Sequence, residues 1–434
     1  MYSIKTFKLL VAVILLTVSL PSYSQKVTFS PYSRYGIGDI YPQSLGHNAD
    51  MGGAGIAHTS LMYLNLLNPS ANTCLPMQRF LFDVGMDTKY TTLSSSEASQ
   101  RNNNTTFKYL AAGFAAKPWW SFVFALRPYS AVGYSVDDTV KITNASDNMP
   151  YFYRNNYTGS GGLNKVSLGT SFLFFNTISV SATGGFLFGS LDRYNEISML
   201  SADSYKCSVY YDNRYLINGF QYEFGATFSK AVKSSKDSTR NVCKFNVGAI
   251  FGTDAKLNTR NELLLTRYDN FSSQYDTICN DTLTKGHITV PQKIGFGVAV
   301  EFNDCFTVMA DYTQQDWKNF DIEGENHTPL KKSTSIGVGI EYVKDRYSSR
   351  FFKTIQYRAG FHTEDTYLQL NGVDIKNQGI TFGLGLPLRT LLLNIGCDLG
   401  KKGTTDSNLY QEKYFLLHFN VTIHDVWFVK RKFQ

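Results

Sequence analysis

The chain has 434 residues, 43% hydrophobic and 18% charged, with a formal net charge of +7 scattered along its length. No basic run is long enough to suggest nucleic acid. Beyond residue 24 no apolar stretch reaches the roughly 20 residues that a membrane-spanning helix needs. Yet 15% aromatic residues with 34 glycines and only 11 prolines is an odd balance for a soluble globule. A barrel alternating lipid-facing apolar with lumen-facing polar residues keeps a modest mean hydropathy, here −0.20.

Residues 1–24 read as an export signal. Lys5 and Lys8 form a positive start, Leu9 to Leu20 an apolar run, and Ser22-Tyr23-Ser24 a small-residue cleavage region. Cleavage is expected near Ser24/Gln25, and no cysteine lies there to carry a lipid. Residues 25–78 do not alternate and are rich in glycine, as in Tyr35-Gly36-Ile37-Gly38 and Met51-Gly52-Gly53-Ala54-Gly55. They are expected to form an N-terminal plug ahead of a barrel over 79–434, either folded into the lumen or hanging in the periplasm. Glycine lets backbone pack closely and adopt positive φ, which suits a plug and equally suits an irregular loop.

Period-2 alternation governs the rest. In the last strand Phe415, Leu417, Phe419, Val421 and Ile423 share one face. Leu416, His418, Asn420, Thr422 and His424 share the other. Successive side chains of a strand point to opposite faces, whereas a helix would mix these sets. The same separation recurs around Phe220 to Phe228, Phe245 to Phe251, Ile294 to Phe302 and Ile336 to Tyr342. About fourteen such segments follow one another. Long polar connections (94–104, 261–286, 321–331, 364–377) alternate with tight turns at Lys117-Pro118, Asn176-Thr177, Asn303-Asp304 and Pro387-Leu388. Outer-membrane barrels have long extracellular loops and short periplasmic turns, with aromatic girdles such as Trp119, Trp120 and Trp427 could supply. A secreted sandwich or solenoid has no reason to alternate its connections this way. The expected fold is all-β: a transmembrane antiparallel β-barrel of about fourteen strands with a plug. Its expected setting is the outer membrane of a Gram-negative-type bacterium, as a lipid-embedded monomer folded by the barrel-assembly machinery.

The third strand breaks its own pattern. Trp120, Phe122, Phe124 and Leu126 face lipid, then Pro128 and Ser130 occupy that face, and Gly133 follows. Proline cannot donate to a ladder and is confined to edges or bulges. The residues fit a lateral opening in the wall, and equally a bulge near the rim.

Candidate chemistry is sparse. The six cysteines follow no metal spacing, and His418 and His424, six residues apart, are about 20 Å from each other, too far to share a metal. The Gly-x-Gly pairs at 295, 337 and 383 precede no helix, so they are not phosphate loops. No catalytic residue, cofactor or metal is expected, and the protein is not read as an enzyme. Asp83, Asp87, Glu223, Lys244, Glu301, Asp311, Glu341, Arg358 and Asp398 fall on lumen faces with both signs present, as mutually neutralising filling would require.

The stretch MGGAGIAHTSLMYLNLLNPSANTCL, Met51 to Leu75, resembles the N-terminal hatch of the FadL-type outer-membrane transporters. Asn68-Pro69 matches their Asn-Pro pair, and Ser70 stands where alanine is usual. The resemblance implies passive uptake of hydrophobic small molecules, with release through a gap beside a kinked third strand. It assigns gating to Gly52, Gly53, Gly55, Asn68 and Pro69, and the opening to Pro128, Ser130 and Gly133. An apolar pocket between plug and wall is then expected. FadL-like barrels also serve as docking partners of secretion systems, and a structural or adhesive barrel without transport is the third reading.

Overall fold

In a computed structural model the chain closes into an antiparallel barrel of fourteen strands. The structure describes residues 28–143, 150–200, 207–233, 241–269, 272–320, 330–388 and 391–427. The export signal, its cleavage point and the first three plug residues lie outside the described residues.

The plug contributes β1 (Asp39–Ile40). The wall follows as β2 (Arg79–Ser94), β3 (Ser99–Lys117), β4 (Trp120–Thr143), β5 (Pro150–Phe174), β6 (Ile178–Leu200) and β7 (Cys207–Lys233). Then come β8 (Asn241–Gly252), β9 (Ala255–Asp269), β10 (Gln274–Val290), β11 (Lys293–Phe302), β12 (Phe306–Asp316) and β13 (Lys332–Val343). The last four are β14 (Gln356–Leu370), β15 (Val373–Leu388), β16 (Leu391–Gly403) and β17 (Gln411–Val426). β17 pairs with β2 from Gln411↔Ser94 to Val426↔Arg79, which closes the wall. Two wall strands are broken. β8 pairs with the lower half of β7 and β9 with its upper half. β10 and β11 part at Pro291, which has no N–H to give the ladder.

Alternation sets the two faces as the sequence predicts. Phe415, Leu417 and Phe419 are exposed toward lipid, while His418, Asn420 and Thr422 are buried in the lumen. At the periplasmic end, Phe175-Asn176 and Asn303-Asp304 all have φ between 51° and 56°. That backbone makes two-residue turns whose twist matches the strands they join. Trp120 stacks beside Phe172 there, and Phe80 stacks on Trp427 at 4.4 Å.

The extracellular side differs from expectation. Segments 94–104, 261–286 and 364–377 are continuations of strands: β2 meets β3 across residues 95–98, and β14 turns into β15 at Asn371-Gly372. The 27 residues of β7 span roughly 90 Å, against an apolar band of about 25 Å. Above the lipid band the outer face turns largely polar while inward residues such as Leu191, Tyr215 and Ile217 enter the apolar core, so the apolar-out alternation vanishes while backbone pairing goes on. The extra height is one-sided, carried by β4 to β7 and the β9–β10 hairpin.

Residues 28–78 lie inside the barrel. Toward the outside, Tyr32 and Ile37 sit in an apolar core with Tyr129, Val132, Leu187 and Trp317 from the wall. Tyr367 donates its hydroxyl to the Tyr35 carbonyl at 3.1 Å and to that of Gly38, and Tyr32 donates to the Tyr410 carbonyl. Deeper in, plug and wall meet through polar groups and two further apolar clusters, Leu45, Leu64, Leu66 and Leu75 against Leu81 and Val123, and Met51, Ala54 and Ala57 against Ala299 and Met309.

Candidate functional site

The plug rests on glycines. A Cβ at Gly337 would lie 2.4 Å from the Gly52 carbonyl oxygen, and one at Gly360 2.2 Å from the Gly52 nitrogen. Gly248 and Gly297 face Ile56 in the same way, and Gly383 and Gly396 face Asp50. These inward glycines of β8, β11 and β13 to β16 form a shallow seat into which backbone 50–57 presses. Gly52 itself has φ +64°, a left-handed conformation, and its N–H donates to Thr381 Oγ1 at 2.9 Å. Gly53 donates its N–H to the Asn48 carbonyl at 3.0 Å. The N–H groups of Gly55 and Ile56 donate to Asp311 Oδ2 at 2.6 and 2.7 Å, so a wall carboxylate holds the plug chain by its backbone.

Asn68-Pro69 works as a staple. The Asn68 side chain accepts from Ser70 N and caps the turn Pro69–Cys74, whose first position suits proline. Its amide donates to the Ile56 carbonyl at 2.9 Å, and to the Ala226 carbonyl and Thr227 Oγ1 on β7 at 3.1 Å. Ser171 Oγ on β5 donates to the Pro69 carbonyl at 2.7 Å. Ser70 uses the hydroxyl that an alanine would lack: it donates to Asn68 Oδ1 and lies 2.6 Å from Thr227 Oγ1.

Most of the lumen charges pair, while Asp83 accepts hydrogen bonds from Tyr109, Asn420 and Thr422, and Asp311 from the plug backbone. Arg358 Nε donates to Glu341 at 2.8 Å, and its guanidinium also donates to Asn394 at 2.7 Å and to the plug's Tyr63 at 2.9 Å. Lys165 meets Glu223 at 2.9 Å, and Arg346 meets both Glu341 and Glu301. Asp87 holds Lys108 at 3.0 Å and His418 at 2.9 Å, and Asp398 holds His362 at 3.0 Å. In the plug, burial pushes the Asp50 carboxyl up to about 6 and the His58 imidazole down to about 4. A cavity of about 320 Å³ lies between the plug and the wall of β2, β3 and β12 to β17. Asp87, Lys108, His418, His362, Asp398 and Lys402 line it. The pocket expected at this place is present with a mixed lining, in which Ile40, Tyr41, Ala49, Ile56, Leu67 and Leu416 stand beside these charges.

At the third strand a bulge lies beside a stretch of wall where β3 and β4 do not pair. Among the described residues, the β3–β4 ladder stops at Leu110↔Leu126, although β3 runs on to Ser99 and β4 to Thr143. The register shifts between Pro128 and Ser130, which leaves Tyr129 as the extra, bulged residue. The plug completes the edge that β3 abandons. Tyr41 N–H donates to the Tyr129 carbonyl at 3.0 Å, Asp39 and Ile40 pair with Ala131 and Ser130, and Gly133 N–H donates to Ser33 Oγ at 3.0 Å. A Cβ at Gly133 would also meet the Thr28 carbonyl at 2.0 Å, so glycine admits the plug chain there. Sequence reasoning found Pro128, Ser130 and Gly133, and missed Ser33, Asp39 and Tyr41. Lumen-facing glycines at matching depth in neighbouring strands, 337 and 339 beside 360 and 383, were the available sign of a backbone pressing on the wall.

The sequence profile of the family described as BamG matches residues 4–434. No curated protein matches the sequence. Among solved structures, the Ralstonia pickettii toluene transporter TbuX is 16% identical, with a TM-score of 0.54 over 88% of this chain and 98% of its own. The Pseudomonas putida toluene transporter TodX is 13% identical, with a TM-score of 0.58 over 90% and 100%. A Pseudomonas aeruginosa FadL homologue is 11% identical, with a TM-score of 0.56 over 91% and 100%. The fold is thus that of FadL-type outer-membrane barrels.

Proposed function

The chain belongs to the BamG family, and from that premise we propose that it is an outer-membrane channel for passive uptake of hydrophobic small molecules, gated by its own plug. One observation carries this reading: the wall is unpaired above Leu110 and Leu126, and a plug strand takes the vacant edge. When residues 28–43 withdraw, the apolar side chains around Tyr32 and Ile37 line a path from outside to that gap, and Pro128, Ser130 and Gly133 frame its exit. Gly52, Gly53, Gly55, Asn68 and Pro69 hold the inner plug still while the outer part moves. The neighbouring folds of toluene transporters support the ligand class. On this reading the chain is exported on residues 1–24, cut near Ser24/Gln25, folded by the barrel-assembly machinery and active as a monomer.

Cysteines at Asp39 and Ala131, which are direct cross-strand partners, test the gate. In a background with the native cysteines replaced, oxidation of the D39C/A131C pair is expected to abolish entry of a hydrophobic probe into liposomes, and reduction to restore it. Uptake that ignores the cross-link sinks the gate.

A second reading, a docking partner for a protein secretion system, is favoured by the charged cavity and the one-sided tall wall. It requires partner proteins to co-purify from native membranes. A pull-down that brings none argues against it.

A further inference from the structure

We propose that the periplasmic rim of the barrel binds anionic phospholipid headgroups of the inner leaflet through cations that have no carboxylate partner within the protein. Five of them stand there outside the lumen: Lys117 at the end of β3, Lys230 near the end of β7, and Lys344, Arg350 and Lys353 in the loop joining β13 to β14. Among the described residues none of the five is ion-paired, whereas at the extracellular end Arg154, Arg214, Arg260, Arg267, Lys331 and Lys376 each meet a carboxylate. The carboxylates of the rim are engaged elsewhere. Asp345 accepts from the Tyr347 N–H at 3.1 Å, and Asp425 from the Val426 N–H and Trp427 Nε1 at 2.8 and 2.9 Å. Asp304 is buried at its turn, and Arg346 holds Glu301 and Glu341 inside the lumen.

The placement of these cations selects lipid as the partner. On β3, β7 and β13 the cation is the next outward side chain after the apolar belt: Lys117 after Phe114, Lys230 after Phe228 and Lys344 after Tyr342. No carboxylate intervenes on those three strands. Lys117 is the cross-strand partner of Trp120, and its ammonium lies 5.2 Å from the centre of the Trp119 ring. Lys230 faces the lipid-exposed Phe245 across the ladder. The loop springs from Tyr342 and Tyr357, which are paired and lipid-facing, and it carries Phe351 and Phe352 between its cations. Phe352 is 80% exposed, and Phe175, in the tight turn between β5 and β6, is 90% exposed. Aromatic rings interleaved with lysine and arginine suit the boundary between acyl chains and headgroups, where the stems of the cations lie along hydrocarbon and their heads reach phosphate. An acidic soluble protein would meet the charges and leave Phe175 and Phe352 in water, whereas a leaflet takes both. Unpaired cations favour heads with net negative charge over zwitterionic ones, by roughly fivefold for each cation close to the surface. This binding needs the outer-membrane setting and does not depend on transport.

Three of the four tryptophans, Trp119, Trp120 and Trp427, lie at this rim, while Trp317 is buried in the core. Their fluorescence therefore reports the lipid beside it. The full chain in phosphatidylcholine bilayers would receive brominated phosphatidylglycerol or brominated phosphatidylcholine as quencher. The anionic quencher is expected to act at about fivefold lower mole fraction, and high salt to narrow the difference. Lys117→Gln should remove most of that preference at Trp119 and leave quenching by brominated phosphatidylcholine unchanged. Phe352→Trp, with phenylalanine at 119, 120 and 427, carries the readout to the loop. There Lys344→Gln, Arg350→Gln and Lys353→Gln together should cost about tenfold or more in preference. Equal quenching of the unmodified protein by the two lipids overturns the proposal and leaves an acidic protein as the partner of the rim. Glutamine variants that keep the preference overturn it as well. If the variants do not fold, as judged by heat-dependent gel mobility, the two-lipid comparison on the unmodified protein decides alone.

Discussion

Asn68 joins three pieces of chain that are far apart in sequence: the turn at Ser70, the plug backbone at Ile56 and strand β7 at Ala226 and Thr227. Leaving buried groups without partners costs roughly 1 to 3 kcal/mol. Asn68→Ala is therefore expected to raise hydrogen exchange across residues 28–78 about tenfold or more while the wall amides stay protected. Exchange confined to Asn68's immediate neighbours would show that the staple is dispensable. This residue was legible in the sequence because the Asn-Pro pair carries its own logic, an N-cap followed by a proline that has no N–H to lose. Asp39 and Tyr41 were not legible. They join β4 through backbone groups, which leave no trace in side-chain identity, and the carboxylate that Asp39 offers to Lys402 is one charge among many in the sequence.

At the level of elements, the inward glycines decide where the plug sits. A side chain at Gly360 would strike the Gly52 nitrogen at 2.2 Å and the Met51 carbonyl carbon at 2.3 Å, backbone atoms that cannot swing aside. Gly360→Val is expected to cost about 1 to 3 kcal/mol or more in overpacking, lifting the plug from its seat. Planar-bilayer recordings should then show a larger conductance than the unmodified protein, with barrel closure intact. An unchanged conductance would place the seal elsewhere, in the apolar core around Tyr32. Strand positions were legible wherever one face met lipid, since alternation there is imposed by two different solvents. They were lost above the membrane: residues 261–286 read as a loop because water lies on both sides of that hairpin. The break at Pro291 was lost as well, since the apolar periodicity on its two flanks could be read as one strand.

For the molecule as a whole, closure and height are separate properties. β8 and β11 pair directly from Cys243↔Phe302 up to Gly252↔Lys293, so the ring is complete beneath the β9–β10 hairpin. Asn258 and His287 face each other across that hairpin, just above the core residues Leu257 and Ile288. Replacing residues 259–286 with an Asn-Gly turn should therefore leave a folded barrel with its interior capped, recognised by a heat-dependent shift in gel mobility. Loss of the folded band would mean that the hairpin is needed for assembly. If it is dispensable, the outward crest is a removable turret. Mutation could redraw what the cell displays to phages and antibodies without disturbing the machine embedded below.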